Sequence, residues 1–434
     1  MKLDLGCPCL PGLLLGIVLV ASPLRADEAD DQYAVAAGHY ALGRWKLAAE
    51  EFQSFLTAFP KDSRISQSLF FLGEALTQLG RYEEAYRQFQ EYLRREPAGQ
   101  YARSARFRAG ETSYLAGKFS EAGPSLRQFL EKHPDDESNA YAIPYLGEIA
   151  IEEKDLAAAE RYFRQGLSRF PQGPLQDDCR FGLARALEKQ DKNGEAERLY
   201  LALAGKPTSR LAADAQLRLG AVQYALGKFA EAAESFAAFE AKWGQNPQAK
   251  TARLNHGWAL LKLNRPADAA GLFTPIVSDP KLGLDARYGL GLARKAQKDW
   301  PAAAKILLEA ATADPKNALA PAIRFHAGDA LLHAGDFAAA RRQFEAVLQS
   351  PPGEAEWVAD ALLGVVQAAL RQKDYEAVDR YAAEFSRRFP TSSLRGQIQR
   401  LVSRGLIERK EYRKAAEGIE PLLRGGTSGE EALE

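Results

Sequence analysis

Residues Ser68–Pro97 read SLFFLGEALTQLGRYEEAYRQFQEYLRREP, and this stretch decides the fold. At helical spacing Leu69, Leu72, Gly73 and Leu76 share one face, and beyond Gly80 a second set, Ala85, Phe89 and Leu93, shares another. Gly80 suits the C-terminal stop of a first helix, Glu83 and Glu84 suit the positive N-terminal end of a second, and Pro97 stops that one. The stretch is a helical hairpin. Two amphipathic helices of about a dozen residues have no second layer to bury their apolar faces against, so the hairpin needs neighbours.

The neighbours recur at a fixed period. Gly80-Arg81-Tyr82 with Ala85 is matched by Gly117-Lys118-Phe119 with Ala122, Lys154-Asp155-Leu156 with Ala159, Gly227-Lys228-Phe229 with Ala232, and Gly335-Asp336-Phe337 with Ala340. Upstream, Gly43-Arg44-Trp45 with Ala48 does the same. Taking the turn aromatic as a marker gives Trp45, Tyr82, Phe119, Leu156, Asn193, Phe229, Pro266, Trp300, Phe337, Tyr375 and Tyr412, eleven copies at steps of mostly 37 residues with one of 34.

A small residue on each first helix (Gly73, Gly110, Gly147, Gly220, Gly257, Gly291, Gly328), the Gly-x-aromatic turn, the Ala-x-x-x-Phe pairs (Ala48/Phe52, Ala85/Phe89, Ala232/Phe236, Ala340/Phe344) and the closing proline resemble tetratricopeptide repeats. The small residues let helices approach closely and the aromatics fill the gap between successive hairpins. The resemblance implies an all-α, right-handed α-solenoid of about eleven hairpins, a scaffold that binds partners and carries no chemistry of its own. Units such as Phe59–Pro97 are similar to repeats of bacterial envelope proteins, among them the lipoprotein subunit of the β-barrel assembly machine and the periplasmic coordinator of the Tol-Pal system.

The first 26 residues differ in kind: Lys2, an apolar run from Leu10 to Val20, and Leu24-Arg25-Ala26 together read as a secretory signal peptide with cleavage after Ala26. The run is short of the roughly 20 apolar residues that span a bilayer, so retention as an anchor is the alternative rather than the expectation. Cys7 and Cys9 precede the run, where a lipoprotein cysteine would follow it. Cleavage leaves only Cys179, so no internal disulfide is expected and stability must come from stacking. Segment 27–424 is then the repeat solenoid, and 425–434, with the composition GGTSGEEALE, a disordered tail. The absence of an Asn-x-Ser/Thr sequon favours a bacterial periplasm over a eukaryotic secretory route.

Prolines 60, 97, 134, 171, 207, 247, 280, 315, 351 and 390 mark the corners between repeats independently of the glycine turns. Pro275 departs from this pattern. It falls inside the second helix of the seventh unit, next to the shortened step, and a kink is expected there. Pro421 falls similarly within the last helix.

Equal numbers of basic and acidic residues, 57 each, argue against nucleic acid, which calls for a basic surface. The five histidines are scattered, with His326 and His333 seven apart rather than four, so no metal pair is expected. Gly289 and Gly291 form a Gly-x-Gly inside a helix and read as close packing instead of a phosphate loop. Cys179 reads as a buried small hydrophobe. Catalysis and cofactors are not expected.

Since the resemblance places the first helices along a concave groove, matching positions form rows. One row runs Tyr33, Phe70, Phe107, Pro144, Phe181, Leu217, Leu254, Tyr288, Phe325; another runs Ala37, Glu74, Glu111, Glu148, Arg185, Ala221, Trp258. The candidate partner-binding residues are Tyr33, Phe70, Glu74, Phe107, Glu111, Tyr114, Glu148, Phe181 and Trp258, with the glutamates expected to face solvent as an acidic stripe. The competing reading is that the aromatics pack between helices and the glutamates are simply solvated. The expected partner is a protein or peptide in the cell envelope, with a glycan such as peptidoglycan, or a role in polysaccharide export, as the alternative.

Overall fold

The computed structural model describes residues 28–349 and 355–424; the expected signal peptide, the Pro351 corner and the C-terminal tail lie outside the described residues. Within them the chain forms 22 α-helices and one 3-10 turn, with no strand. The chain divides into two compact units after Ala212. The first holds five hairpins: α1 (Glu28–Ala41) and α2 (Trp45–Ala58), α3 (Ile65–Gln78) and α4 (Tyr82–Arg95), α5 (Ala102–Leu115) and α6 (Phe119–Lys132), α7 (Asn139–Glu152) and α8 (Leu156–Arg169), α9 (Gln176–Glu188) and α10 (Asn193–Ala204). The second holds six: α11 (Ala212–Ala225) and α12 (Phe229–Trp243), α13 (Ala249–Lys262) and α14 (Pro266–Phe273), α15 (Gly283–Ala296) and α16 (Trp300–Ala313), α17 (Ala320–Ala334) and α18 (Phe337–Leu348), α19 (Ala355–Arg371) and α20 (Tyr375–Arg388), α21 (Arg395–Glu408) and α22 (Tyr412–Arg424). All eleven marker residues, including the atypical Leu156, Asn193 and Pro266, open the second helix of their hairpin.

One turn geometry makes every hairpin. Two residues before each marker the backbone is left-handed: at Gly43, Gly80, Gly117, Gly227 and Gly335, but also at Lys154, Asp191, Asn264, Lys298, Lys373 and Lys410. The next residue's N–H then donates back five residues, as in Arg81 to the Leu76 carbonyl and Asp155 to the Ala150 carbonyl, both at 2.9 Å. This is a Schellman stop, which satisfies carbonyls the first helix would leave open. A non-glycine residue in this conformation costs about 1–2 kcal/mol. In three of the six non-glycine turns the following residue is an aspartate whose carboxylate caps the second helix: Asp155 to Ala158 N, Asp299 to Ala302 N and Asp374 to Ala377 N. Such a cap contributes about 1 kcal/mol, which offsets much of the strain.

The glycines on the first helices work differently. A Cβ on Gly147 would lie 2.6 Å from the ring of Phe163 on the second helix of the same hairpin, and one on Gly182 of the next hairpin 2.3 Å from the same ring. Phe273 is likewise held between Gly257 and Gly289, and Phe344 between Gly328 and Gly364. Each ring is thus clamped between two hairpins by two missing side chains. Gly289 and Gly291 face in opposite directions along the stack, onto Phe273 of the hairpin before and Leu307 of their own, so the Gly-x-Gly is a packing device.

At the corners, proline acts on the residue before it. Phe59, Glu96, His133, Phe170, Asp314 and Phe389, each preceding a proline, leave the helical region for φ between −125° and −142°. The proline ring clashes with a helical predecessor, so the chain must turn there. In the seventh hairpin Pro275 acts early: α14 stops after eight residues and continues as a single 3-10 turn, Thr274–Ile276, before α15. Ile276 is buried, so the broken helix still delivers an apolar anchor.

Candidate partner-binding site

The aromatic row is engaged in packing. Tyr33 on α1 meets Phe52 and Phe55 of α2 at 6.0 and 5.5 Å, and Phe70 on α3 stacks on Tyr101 at 4.5 Å. Phe107 on α5 lies 5.5 Å from Phe129, Phe181 on α9 meets Tyr200 edge-on at 5.6 Å, and Tyr114 stacks on Tyr145 at 4.3 Å. Burial pushes the Tyr33 hydroxyl up to about 12 and the Tyr114 hydroxyl higher still. These rings fill the spaces between helices, because a residue on a first helix must cover its own partner helix before it can cover anything else.

The glutamates are not a solvated stripe. Glu74 is 8% exposed and Glu111 only 3%. Between them lies Arg108, a buried arginine absent from the expected site. Its guanidinium forks onto both Glu74 oxygens at 2.7 and 3.0 Å and donates to Glu111 Oε2 at 2.6 Å. Arg108 precedes Glu111 by three residues on α5, which places them on one face, and reaches Glu74 on the first helix of the preceding hairpin. Glu148 on α7 is half-buried and accepts from Arg185 Nη1 on α9 at 2.9 Å. Burial pushes the carboxyls of Glu74 and Glu148 upward, with Arg108 and Arg185 respectively opposing the shift. The expected row therefore exists as a ladder of ion pairs tying successive first helices together. One hint lay in the row itself: its fourth and fifth members, Glu148 and Arg185, are the two that pair.

Where the ladder meets the corner after α8, a cavity of about 540 Å³ opens. Its floor is Phe107, Arg108 and Glu111, all buried. Tyr141 and Phe170 line it further, and exposed Glu137, Pro171 and Pro174 stand at its mouth. Two of the expected residues, Phe107 and Glu111, thus share a recess, whereas Tyr33, Phe70, Glu74, Tyr114, Glu148 and Phe181 do not line it. The corner Phe170-Pro171-Gln172-Gly173-Pro174 carries two prolines and a glycine in five residues, a local signal that this corner differs from the others.

Trp258 belongs to the second unit and sits in a separate aromatic series. It meets Phe273 at 5.5 Å and Tyr288 at 5.7 Å; Tyr288 approaches His326 at 5.9 Å, and His326 approaches Trp357 at 5.5 Å. Lys295 Nζ lies 3.1 Å from His326 Nδ1 and 2.6 Å from Asp329. Burial, followed by the Lys295 charge, holds the imidazole down to about 4, so it is neutral at physiological pH. Cys179 is buried and its thiol is pushed up to about 12, mainly by burial, which leaves it inert as a nucleophile. Among the described residues no group of three histidine, cysteine or acidic side chains is placed to hold a metal, and no helix is long and apolar enough to cross a membrane.

The repeated hairpin, its Schellman turn and its clamped aromatics define the class, an α-helical repeat scaffold. The chain belongs to the tetratricopeptide-repeat family: that family's model matches residues 33–101, 107–174, 181–247, 254–318, 316–355 and 325–377. No curated protein sequence matches the chain significantly. Similar solved structures include a tetratricopeptide repeat protein from Parabacteroides merdae (17% identity, 62% of this chain and 99% of that one, TM-score 0.44). PilW, a type IV pilus biogenesis factor, is similar at 22% identity over 51% of this chain and 97% of its own (TM-score 0.42). The Cut9–Hcn1 hetero-tetramer of the APC/C is similar at 12% identity over 94% and 96% (TM-score 0.40).

Proposed function

We propose that the protein is an exported, non-enzymatic scaffold of the bacterial cell envelope that holds a peptide segment of a protein partner against the first helices of its first unit, with the recess above Phe107 and Glu111 as the anchoring pocket. The observation that carries this reading is the recess itself: 540 Å³, a size typical of ligand pockets, with an aromatic and charged floor and a mouth open at the corner after α8. Its position on the stretch where the repeat register had placed the groove supports the same conclusion. A glycan along the aromatic row fits less well, because sugar stacking needs open ring faces and these rings lie against one another.

Ala140 lines the recess and is partly exposed, so Ala140→Trp fills it without entering the core. Photo-crosslinking of the envelope fraction should show partner adducts with the parent that the Ala140→Trp variant loses, at unchanged circular dichroism. An unchanged adduct pattern sinks the pocket as the anchor. Export rests on the first 26 residues alone. N-terminal sequencing from the envelope fraction should begin near Asp27, and an intact Met1 on a carbonate-resistant membrane protein would point to an anchor instead.

A further inference from the structure

We infer that the recess takes a positively charged side chain, an arginine or lysine, presented by an extended partner peptide; this deepens the scaffold reading above and rests on it. The first reason is charge. Two buried carboxylates, Glu74 and Glu111, share one guanidinium, Arg108, and the long 3.4 Å bond from the Tyr145 hydroxyl to Glu111 Oε1 brings no charge. At the mouth Glu137 is exposed and, among the described residues, makes no ion pair. Of the neighbouring cations, Arg185 pairs with Glu148 and Arg103 with Asp136, while Arg106 donates to the Pro97 carbonyl and Arg169 to the Pro134 carbonyl, with the Arg169 guanidinium 5.4 Å from the Phe170 ring centre. Arg108, among the described residues the one cation in the lining, therefore faces Glu111 beside it and Glu137 at the mouth and is shared with Glu74 behind the floor, in a setting where each charge is poorly screened by solvent.

The second reason is the lining. Phe107, Tyr141 and Phe170 offer ring surface to the recess, and aromatic faces attract a desolvated cation. Phe107 already does so within the protein, with the Arg108 guanidinium 6.0 Å from its ring centre. A guanidinium entering from the mouth would pass Glu137 and reach Glu111 Oε1, which holds only the long bond from the Tyr145 hydroxyl, with the stem of its side chain against Pro171 and Pro174. An acidic or neutral anchor gains none of these contacts and meets the surplus negative charge.

The probe is a set of fluorescein-labelled nine-residue peptide pools, randomised except for the central residue, which is arginine, lysine, citrulline, norleucine or glutamate. They are titrated against the full-length chain by fluorescence anisotropy. Arginine and lysine pools should bind about tenfold more tightly than citrulline, the uncharged isostere, the difference expected for a charge-assisted hydrogen bond. Glu137→Gln, at an exposed position that does not support the fold, should erode that preference, and Glu111→Gln, checked by circular dichroism, should reduce it to about parity. Equal binding of arginine and citrulline pools, or a preference that survives both substitutions, overturns the cationic anchor while leaving peptide binding standing. Failure of every pool to bind overturns the peptide reading along with it.

Discussion

Arg108 shows how a helix-surface charge becomes structural once a neighbouring hairpin closes over it. Removing it as Arg108→Met leaves two carboxylates buried without a counter-ion, a loss of about 3–5 kcal/mol by the usual cost of breaking a buried pair. Urea unfolding followed by far-UV circular dichroism should show that loss, and a neutral result would mean that water already reaches the cluster. Because Glu74 and Glu111 are buried rather than solvent-facing as the sequence predicts, lysine at positions 74 and 111 would place cations beside Arg108, so such a variant tests the fold before it tests binding. The pH dependence follows from the sign of the shift. The Glu74 carboxyl is raised above its ordinary 4.5 by burial, so folding favours its protonated form. Its stabilising contribution is fully present below about 4.5 and is lost as pH rises through the raised value. Glu74→Gln should flatten that part of the stability profile. Asp62 and Glu91, held down to about 2 by Arg64 and by Arg94 with Arg95, act in a separate window, losing their contribution only as pH falls toward 2.

At the level of the hairpin, the turn and the clamp both favour glycine, the turn for its backbone conformation and the clamp for its missing side chain. Lys154 holds φ at 62°, where a Cβ is strained. Lys154→Gly should stabilise by about 0.5–1 kcal/mol, the strain relieved less the extra entropy of an unfolded glycine. Asp155→Ala in the same turn should lose about 1 kcal/mol with the cap to Ala158 N. At Gly147 the preference for glycine is one of packing: alanine pushes the Phe163 ring, which cannot retreat because Gly182 of the next hairpin stands behind it. Gly147→Ala should cost about 1–3 kcal/mol as overpacking. Thermal unfolding should raise the midpoint for Lys154→Gly and lower it for Asp155→Ala and Gly147→Ala, and a stabilising Gly147→Ala would show that the stack is looser than the two close approaches indicate.

At the scale of each compact unit, helices pack on their sequence neighbours, so the unit's stability is approximately a sum of hairpins and the interfaces between them. The weakest internal joint should be the seventh hairpin, whose second helix stops after eight residues at a proline-containing 3-10 turn. Native-state hydrogen exchange should find the fastest internal opening between Gly271 and Val277, whereas uniform protection through that segment would count against a nearest-neighbour description.

Much of the local code was legible from the sequence. Periodicity, the glycine turns and the corner prolines are short-range steric facts, written within a few residues of where they act, and for that reason eleven hairpins and the break at Pro275 could be read off directly, whereas the left-handed backbone at Lys154, Asp191, Asn264, Lys298, Lys373 and Lys410 carries no glycine to announce it. What the tertiary structure alone decided is which surface of each first helix stays open. Glu74 and Glu111 have the spacing of a solvated stripe, and nothing local to either says that Arg108, 34 residues beyond Glu74 and three before Glu111, will draw both into the interior. Nor does local sequence say that the corner at Phe170–Pro174 will stand off from α5 and α7 and leave a recess above Phe107. Partnering across hairpins depends on how closely the helices approach, and that distance is set by the clamped rings and missing side chains of the stack.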